Sequence, residues 1–160
     1  MDSGLNLQVT LASQSPIIGA PQPPAIHITA SVHNAADFPI TFLKWATPLD
    51  PQAGVLGVFE IWDKAQNKTM PVPIIKVSRK LPASREDLVE ILPRQTLQTT
   101  ITLPTTNLDK GNEYSIRARG VWHAVWPTGL VDVTASQLED TQGASRGEFL
   151  SNESHVKIGE

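Results

Sequence analysis

Two arginines, a histidine and two tryptophans fall within ten consecutive residues of this chain, in the segment RARGVWHAVW at 117–126. A guanidinium is a rigid fork that pairs with carboxylate or phosphate oxygens two at a time. On an extended strand Arg117, Arg119 and His123 share one side, because side chains alternate between faces. Together they form a candidate anion site. The other side carries Tyr114, Ile116, Ala118, Gly120, Trp122, Ala124 and Trp126, an apolar row that reads as core. Gly120 in that row marks a bulge or a close approach of another strand. Trp126, with Pro127 after it, serves either as core or as a partly exposed strand end.

Other chemistry is thinly provided. Of the four histidines, His27 and His33 stand six residues apart on one side of one strand. That is about 20 Å at the rise of an extended chain, too far for one metal ion. A metal site would have to gather residues from separate strands, such as His33 with Asp37, and no spacing demands it. The signatures HExxH, GxSxG, GxGxxG and GxxxxGK[ST] are missing, and with them the zinc, nucleophile-elbow, dinucleotide and phosphate-loop readings. Asp37, Asp50, Glu60 and Asp63 form no pair at a spacing that acid–base work requires. Without cysteine there is no thiol nucleophile, zinc–thiolate site or Cys-ligated cluster. The chain reads as more a binder than an enzyme, with no metal and no cofactor expected.

Two further surfaces are candidates for binding. Four tryptophans stand beside one tyrosine and four phenylalanines. A ligand pocket at one end of the fold would draw on Trp45, Trp62 and Trp126, with Arg117, Arg119 and His123 as its polar groups. The locally basic KVSRK at 76–80 offers Lys76, Arg79 and Lys80 to a protein partner, on an edge able to add to that partner's sheet. The net charge is −3, which gives no electrostatic footprint for nucleic acid. No run of apolar residues is long enough for a membrane span.

The elements that must position these residues are short strands. Thirteen prolines and ten glycines break the chain often, and alternation is the strongest signal between breaks. LNLQVTLA places Leu5, Leu7, Val9 and Leu11 on one face; AIHITASVHN does so with Ile26, Ile28, Ala30 and Val32; TLQTTITL with Leu97, Thr99, Ile101 and Leu103. PITFLKWAT (39–47) and VLGVFEIW (55–62) are apolar on both faces and read as central or doubly covered strands. NAADFP (34–39) reads as a hairpin connection. PVPIIKVSRKLP (71–82) is demoted by three prolines to an edge or irregular extended segment. Ser84 followed by Asp87 signals one capped helical turn. A strand follows at 113–126, then a long loop at 127–147 with a strand admissible at 130–134. SHVKIGE (154–160) closes the chain with Val156 and Ile158 inward. Residues 1–160 therefore read as one all-β domain: an immunoglobulin-like antiparallel β-sandwich of seven or eight strands with at most one short helical turn.

The middle of the chain resembles a known pattern. VHNAADFPITFLKWATPLD (32–50), VFEIWD (58–63), MPVPIIKVSRK (70–80), ILPRQTLQTTITL (91–103) and GNEYSIRARG (111–120) follow in order. They look like the propeptide domain of fungal deuterolysin-type metalloendopeptidases and related small fungal proteins. The positions that carry the likeness are Asn34, Leu43, Lys44, Thr47, Pro48, Leu49, Asp50, Val72, Pro73, Arg79, Lys80 and Pro93. The resemblance spans residues 30–120. It implies a non-catalytic sandwich that, in the protease precursors, assists folding and blocks the active site. A metallopeptidase is thereby the first partner to expect. The HExxH helix and the region 121–160 lie outside the likeness.

Three roles follow as expectations. The first is a non-catalytic interaction module, inhibitor-like or chaperone-like, using the basic segment and the 127–147 loop. The second is a small-molecule binder or small enzyme with the tryptophan-lined pocket. The third is self-association through sheet edges. No basic and apolar leader opens the sequence, so a cytoplasmic location is favoured over secretion. The sequons NKT (67–69) and NES (152–154) matter only in a secreted chain.

Overall fold

The computed structural model describes residues 6–14, 26–72, 74–103, 111–141 and 143–157. Among them are ten strands: β1 (Leu7–Gln14), β2 (Ile26–Asn34), β3 (Ile40–Leu43), β4 (Phe59–Asp63), β5 (Lys68–Thr69), β6 (Leu88–Ile91), β7 (Thr96–Leu103), β8 (Glu113–Trp126), β9 (Ser145–Leu150) and β10 (Ser154–Lys157). One helix, α1 (Ala135–Asp140), and 3-10 turns at Ala53–Val55, Arg85–Asp87 and Leu130–Asp132 complete the regular structure. β1, β2 and β7 form one sheet; the other strands form a second around β8, in the order β5-β4-β8-β3-β6 with β9 and β10 also on β8. Every pairing is antiparallel. The expected all-β sandwich is present, with more strands than the seven or eight anticipated.

Alternation translates directly into packing. Leu7, Val9 and Leu11 of β1 and Ile26, Ile28, Ala30 and Val32 of β2 face inward, meeting Ile61, Tyr114, Ile116 and Trp122 of the second sheet in one core. Removing such apolar surface from water is the main stabilising term, about 25 cal/mol per Å². β8, 14 residues long, is the spine of its sheet. Ile116 lies opposite both Ile61 and Ser154, and Val125 opposite both Phe42 and Ser145, so the strand is paired along both edges at both ends.

A register shift between Trp122 and Val125 changes which core β8 feeds. Up to Trp122 the apolar row packs in the main core. Beyond the shift Val125 joins that core, while Ala124 and Trp126 enter a second cluster with Leu43, Ala83, Leu88, Val133 and Leu138. Leu138 of α1 and Val133 thus cover the outer face of the sheet at the β3 end. This explains why all four residues of β3 are buried, as a doubly covered strand requires.

Several local expectations need revision. NAADFP does not close a hairpin: β2 and β3 belong to different sheets, so this stretch is a crossover. Buried Asn34 organises it, donating from Nδ2 to the carbonyls of Phe38 (2.8 Å) and Ile91 (3.0 Å) and accepting from the Ala36 amide at 2.8 Å. The stretch 127–147 holds a 3-10 turn, α1 and the start of β9 instead of a loop with one strand. Its helix is signalled after all, since Thr134 and Gln137 form a reciprocal capping box. Ser84 and Asp87 form the other, as expected. β4 is covered on one face only, leaving Trp62 39% exposed. Leu97 is exposed at the end of edge strand β7. Leu5, Ile158 and Pro73 lie outside the described residues.

Candidate functional site

The loop after β3, KWATPLDP, is tied by its own side chains. Thr47 donates from both its amide (3.0 Å) and its hydroxyl (2.7 Å) to the Lys44 carbonyl. Asp50, 3% exposed, accepts from the Ala46 amide at 2.8 Å and the Gln52 amide at 2.9 Å. The Asp50 bond also holds Ala46 at a positive φ of 57°, a region that non-glycine residues seldom adopt.

Arg79 reaches this loop from the segment at 74–82. Its Nη1 donates to Asp50 Oδ2 at 2.6 Å and its Nη2 to Asp50 Oδ1 and Gln52 Oε1, both at 3.2 Å. Its guanidinium carbon stands 5.9 Å from the centre of the Trp45 ring, within cation–π range. Burial pushes the Asp50 carboxyl up, but the hydrogen bonds from Arg79, Gln52 and Ala46 and the Arg79 charge outweigh it. The group therefore lies below its ordinary value.

The segment that carries Arg79 runs without helix, turn or bend from 74 to 80, a strap laid over the sandwich. Ile75 anchors one end, its amide donating to the Val55 carbonyl at 2.8 Å, and Ala83 the other, bonding Leu138 at 2.9 Å. Between these anchors the amides of Lys76, Val77, Ser78, Arg79, Lys80 and Leu81 make no hydrogen bond to a described residue. Lys76 and Lys80 are exposed, and so are Ile74 (63%), Ile75 (46%) and Leu81 (43%).

Beside the strap opens a cleft of about 460 Å³, walled by Leu43, Trp45, Leu56, Val77 and Leu81, with Arg79, His123, Thr141 and Arg146 at its polar side. Arg146 donates to the His123 carbonyl at 3.0 Å and to Thr141 Oγ1 at 2.7 Å. Among the described residues it has no carboxylate partner. Loss of water around the His123 ring, and then the charges of Arg146 and Arg79, hold that imidazole below its ordinary pKa. The cleft thus joins an apolar wall to an excess of positive charge, a chemistry suited to an apolar molecule bearing an acidic group.

The structure divides the candidate anion trio. Arg117 and Arg119 both turn to Glu60 across the β4–β8 pairing, at 3.1 and 3.2 Å, while His123 faces the cleft with Arg146. The tryptophans are divided too. Trp45 lines the cleft, Trp62 lines a separate trough on the outer face of β4, and Trp126 is 1% exposed in the second core. Of the basic trio, Lys76 and Lys80 are exposed while Arg79 is held by Asp50 and Gln52. His33 pairs with Thr96 at 2.7 Å and His27 with Thr102 at 2.9 Å, each across the β2–β7 pairing. Asp37 turns to Arg94. Among the described residues no three His, Asp or Glu gather as metal ligands.

Sequence reasoning missed Arg146 and the part played by Asp50. The tight TPLD turn was a usable signal for Asp50, since an aspartate there commonly accepts backbone amides. Arg146 had no local signal: its place depends on β9 pairing with a strand more than twenty residues earlier.

Two comparisons bear on identity. A family model described as an immunoglobulin-like domain matches residues 6–158. A protein of the fungus Arthroderma benhamiae is 35% identical over 157 residues, covering 96% of this chain and 79% of that protein; it is described as an uncharacterized secreted protein. The second finding corrects the location expected above, because a cytoplasmic assignment conflicts with so similar a relative being secreted. A leader-based argument reads only the first residues of the sequence in hand, and similarity over nearly the whole chain outweighs it.

Proposed function

The chain belongs to the immunoglobulin-like domain family, and from that premise we propose that it is a secreted, non-catalytic interaction module that takes an extended segment of a protein partner along the strap at 74–82. One observation carries this reading. Six consecutive amides, Lys76 to Leu81, find no partner among the described residues, in a segment that also exposes Ile74, Ile75, Val77 and Leu81 and two lysines. Unsatisfied backbone donors on an extended segment are a template for another strand, and alternate side chains supply the selectivity. Lys76 and Lys80 favour an acidic partner segment. Arg79 acts as a positioning residue that pins the strap to Asp50. The propeptide resemblance supports a metallopeptidase as the first partner to try.

The test uses immobilised protein and an immobilised Lys76→Glu/Lys80→Glu variant, each exposed to purified deuterolysin-type metallopeptidase and to the secreted proteins of the source. A partner held by the wild type and released by the variant is the expected result. Equal retention by both, or none by the wild type at moderate salt, contradicts the reading.

A second reading is favoured by Arg146, whose charge meets no carboxylate among the described residues beside an apolar cleft. Here the ligand is a small organic acid with an apolar body. Calorimetric titration with 3-phenylpropanoate and with its neutral amide separates the two. Acid bound at least tenfold better than amide, and lost in Arg146→Gln, is the expected pattern; equal binding removes the reading.

A further inference from the structure

Trp62 is a large aromatic on the outer face of β4. It projects from β4 opposite Ser115 on one side and Thr69 on the other, and it is 39% exposed. It lines a trough of about 420 Å³ whose rim is polar: Glu60, Lys64, Thr69, Ser115, Arg117 and Glu153. Thr69 is the threonine of the sequon NKT. The asparagine of that sequon, Asn67, ends the four-residue turn between β4 and β5 with a φ of 56°, a left-handed conformation that asparagine tolerates well. Asp63 holds the turn from beneath, accepting the amides of Ala65 at 2.9 Å and Gln66 at 3.2 Å. Asn67 is exposed, and its side chain makes no hydrogen bond to a described residue.

Directly opposed residues on paired strands have β-carbons about 5 Å apart, and two residues of extended chain advance about 7 Å. Trp62, Thr69 and Asn67 therefore succeed one another within the span of a single sugar or two. We propose that Asn67 carries an N-linked glycan and that its first N-acetylglucosamine lies over the Trp62 indole, in the trough that Thr69 borders. The apolar face of an indole suits the C–H face of a pyranose, and the rim supplies hydrogen-bond partners for its hydroxyls and acetamido group. In the transfer, Asn67 Nδ2 loses a proton and forms a bond to C1 of the sugar. The C1–O bond to a lipid diphosphate carrier breaks, and the lipid diphosphate leaves. The proposal depends on the secretory route set out above and is independent of the strap.

The second sequon behaves differently. Asn152 accepts the Leu11 amide at Oδ1 (2.8 Å), while its Nδ2 donates to the carbonyls of Leu11 (3.1 Å) and Glu153 (3.4 Å). Both amide hydrogens are committed, and one strand of the first sheet is clamped by them. A glycan there replaces one hydrogen and places a sugar against β1, so the folded protein carries its glycan at Asn67 alone.

The chain is produced with a secretion signal in a yeast that attaches N-glycans, and its intact mass is read before and after trimming to a single N-acetylglucosamine. One glycan is expected, absent in Asn67→Gln and in Thr69→Ala. The trimmed protein should show nuclear Overhauser contacts between the acetamido methyl and the Trp62 indole. It should also melt about 2–4 °C above Asn67→Gln, a difference that vanishes when both carry Trp62→Leu. An unmodified chain, or a glycan at Asn152, overturns the site assignment. A glycan at Asn67 without indole contacts overturns the packing. Neither outcome touches partner capture by the strap, so the two readings fail separately.

Discussion

Asp50 joins two stretches far apart in sequence, the loop after β3 and the strap, through a bidentate bond to Arg79. Removing one member of a buried pair leaves the other charge stranded, which costs about 3–5 kcal/mol when both are fully buried. Here the carboxylate is 1% exposed and the guanidinium 23%. Asp50→Ala should therefore cost somewhat less, about 2–3 kcal/mol, by urea unfolding. The same carboxylate sets a pH dependence. Its folded pKa lies below the ordinary 3.8, so its stabilisation is complete above that value and is lost as pH falls through the folded pKa. Asp50→Asn should lower stability at neutral pH and flatten the acid limb of the unfolding midpoint below pH 3.8. An acid limb identical to the wild type would remove Asp50 from the account.

At the scale of the element, β8 carries the most information and was the most legible. Strict alternation marked Tyr114, Ile116, Ala118 and Trp122 as core, and the structure buries all four. Gly120, expected to mark a bulge or a close approach, marks the approach. A β-carbon there would meet Phe149 Cζ at 2.8 Å, and that ring packs against Trp122 at 4.9 Å between centroids. Gly120→Ala should displace the Phe149 ring and cost about 1–3 kcal/mol, as overpacked cores do. A melting temperature unchanged by the substitution would show the ring free to move aside. The bulge itself lies further along, between Trp122 and Val125, and sends Trp126 into the second core. No local pattern announces that shift. Periodicity reports which face a residue occupies, while partners are set by contacts across the chain. For the same reason NAADFP reads as a hairpin and proves a crossover, and the first residues of β9, 145–147, read as loop.

Across the whole molecule, composition and alternation were enough for an all-β sandwich, but not for gathering a site from separate strands. Three tryptophans and a histidine grouped by residue type alone prove to occupy a cleft, an outer trough and a buried core. The strap was more legible, because prolines and a basic cluster can be read without knowing their neighbours. What the sequence concealed there was that Arg79 is committed inward, leaving Lys76 and Lys80 to face solvent. With two lysines at the proposed contact in a chain of net charge −3, partner affinity should fall as salt rises, since exposed charges are screened within about 10 Å at 0.1 M. Affinity that rises with salt would place the contact on the apolar residues alone. The most direct test of the central claim is amide hydrogen exchange in the strap, measured on the free protein and on its complex with the captured partner. The account predicts fast exchange at Lys76 to Leu81 in the free chain and strong protection of alternate amides of that run in the complex. Protection confined to other elements, with the strap still exchanging freely, would contradict it.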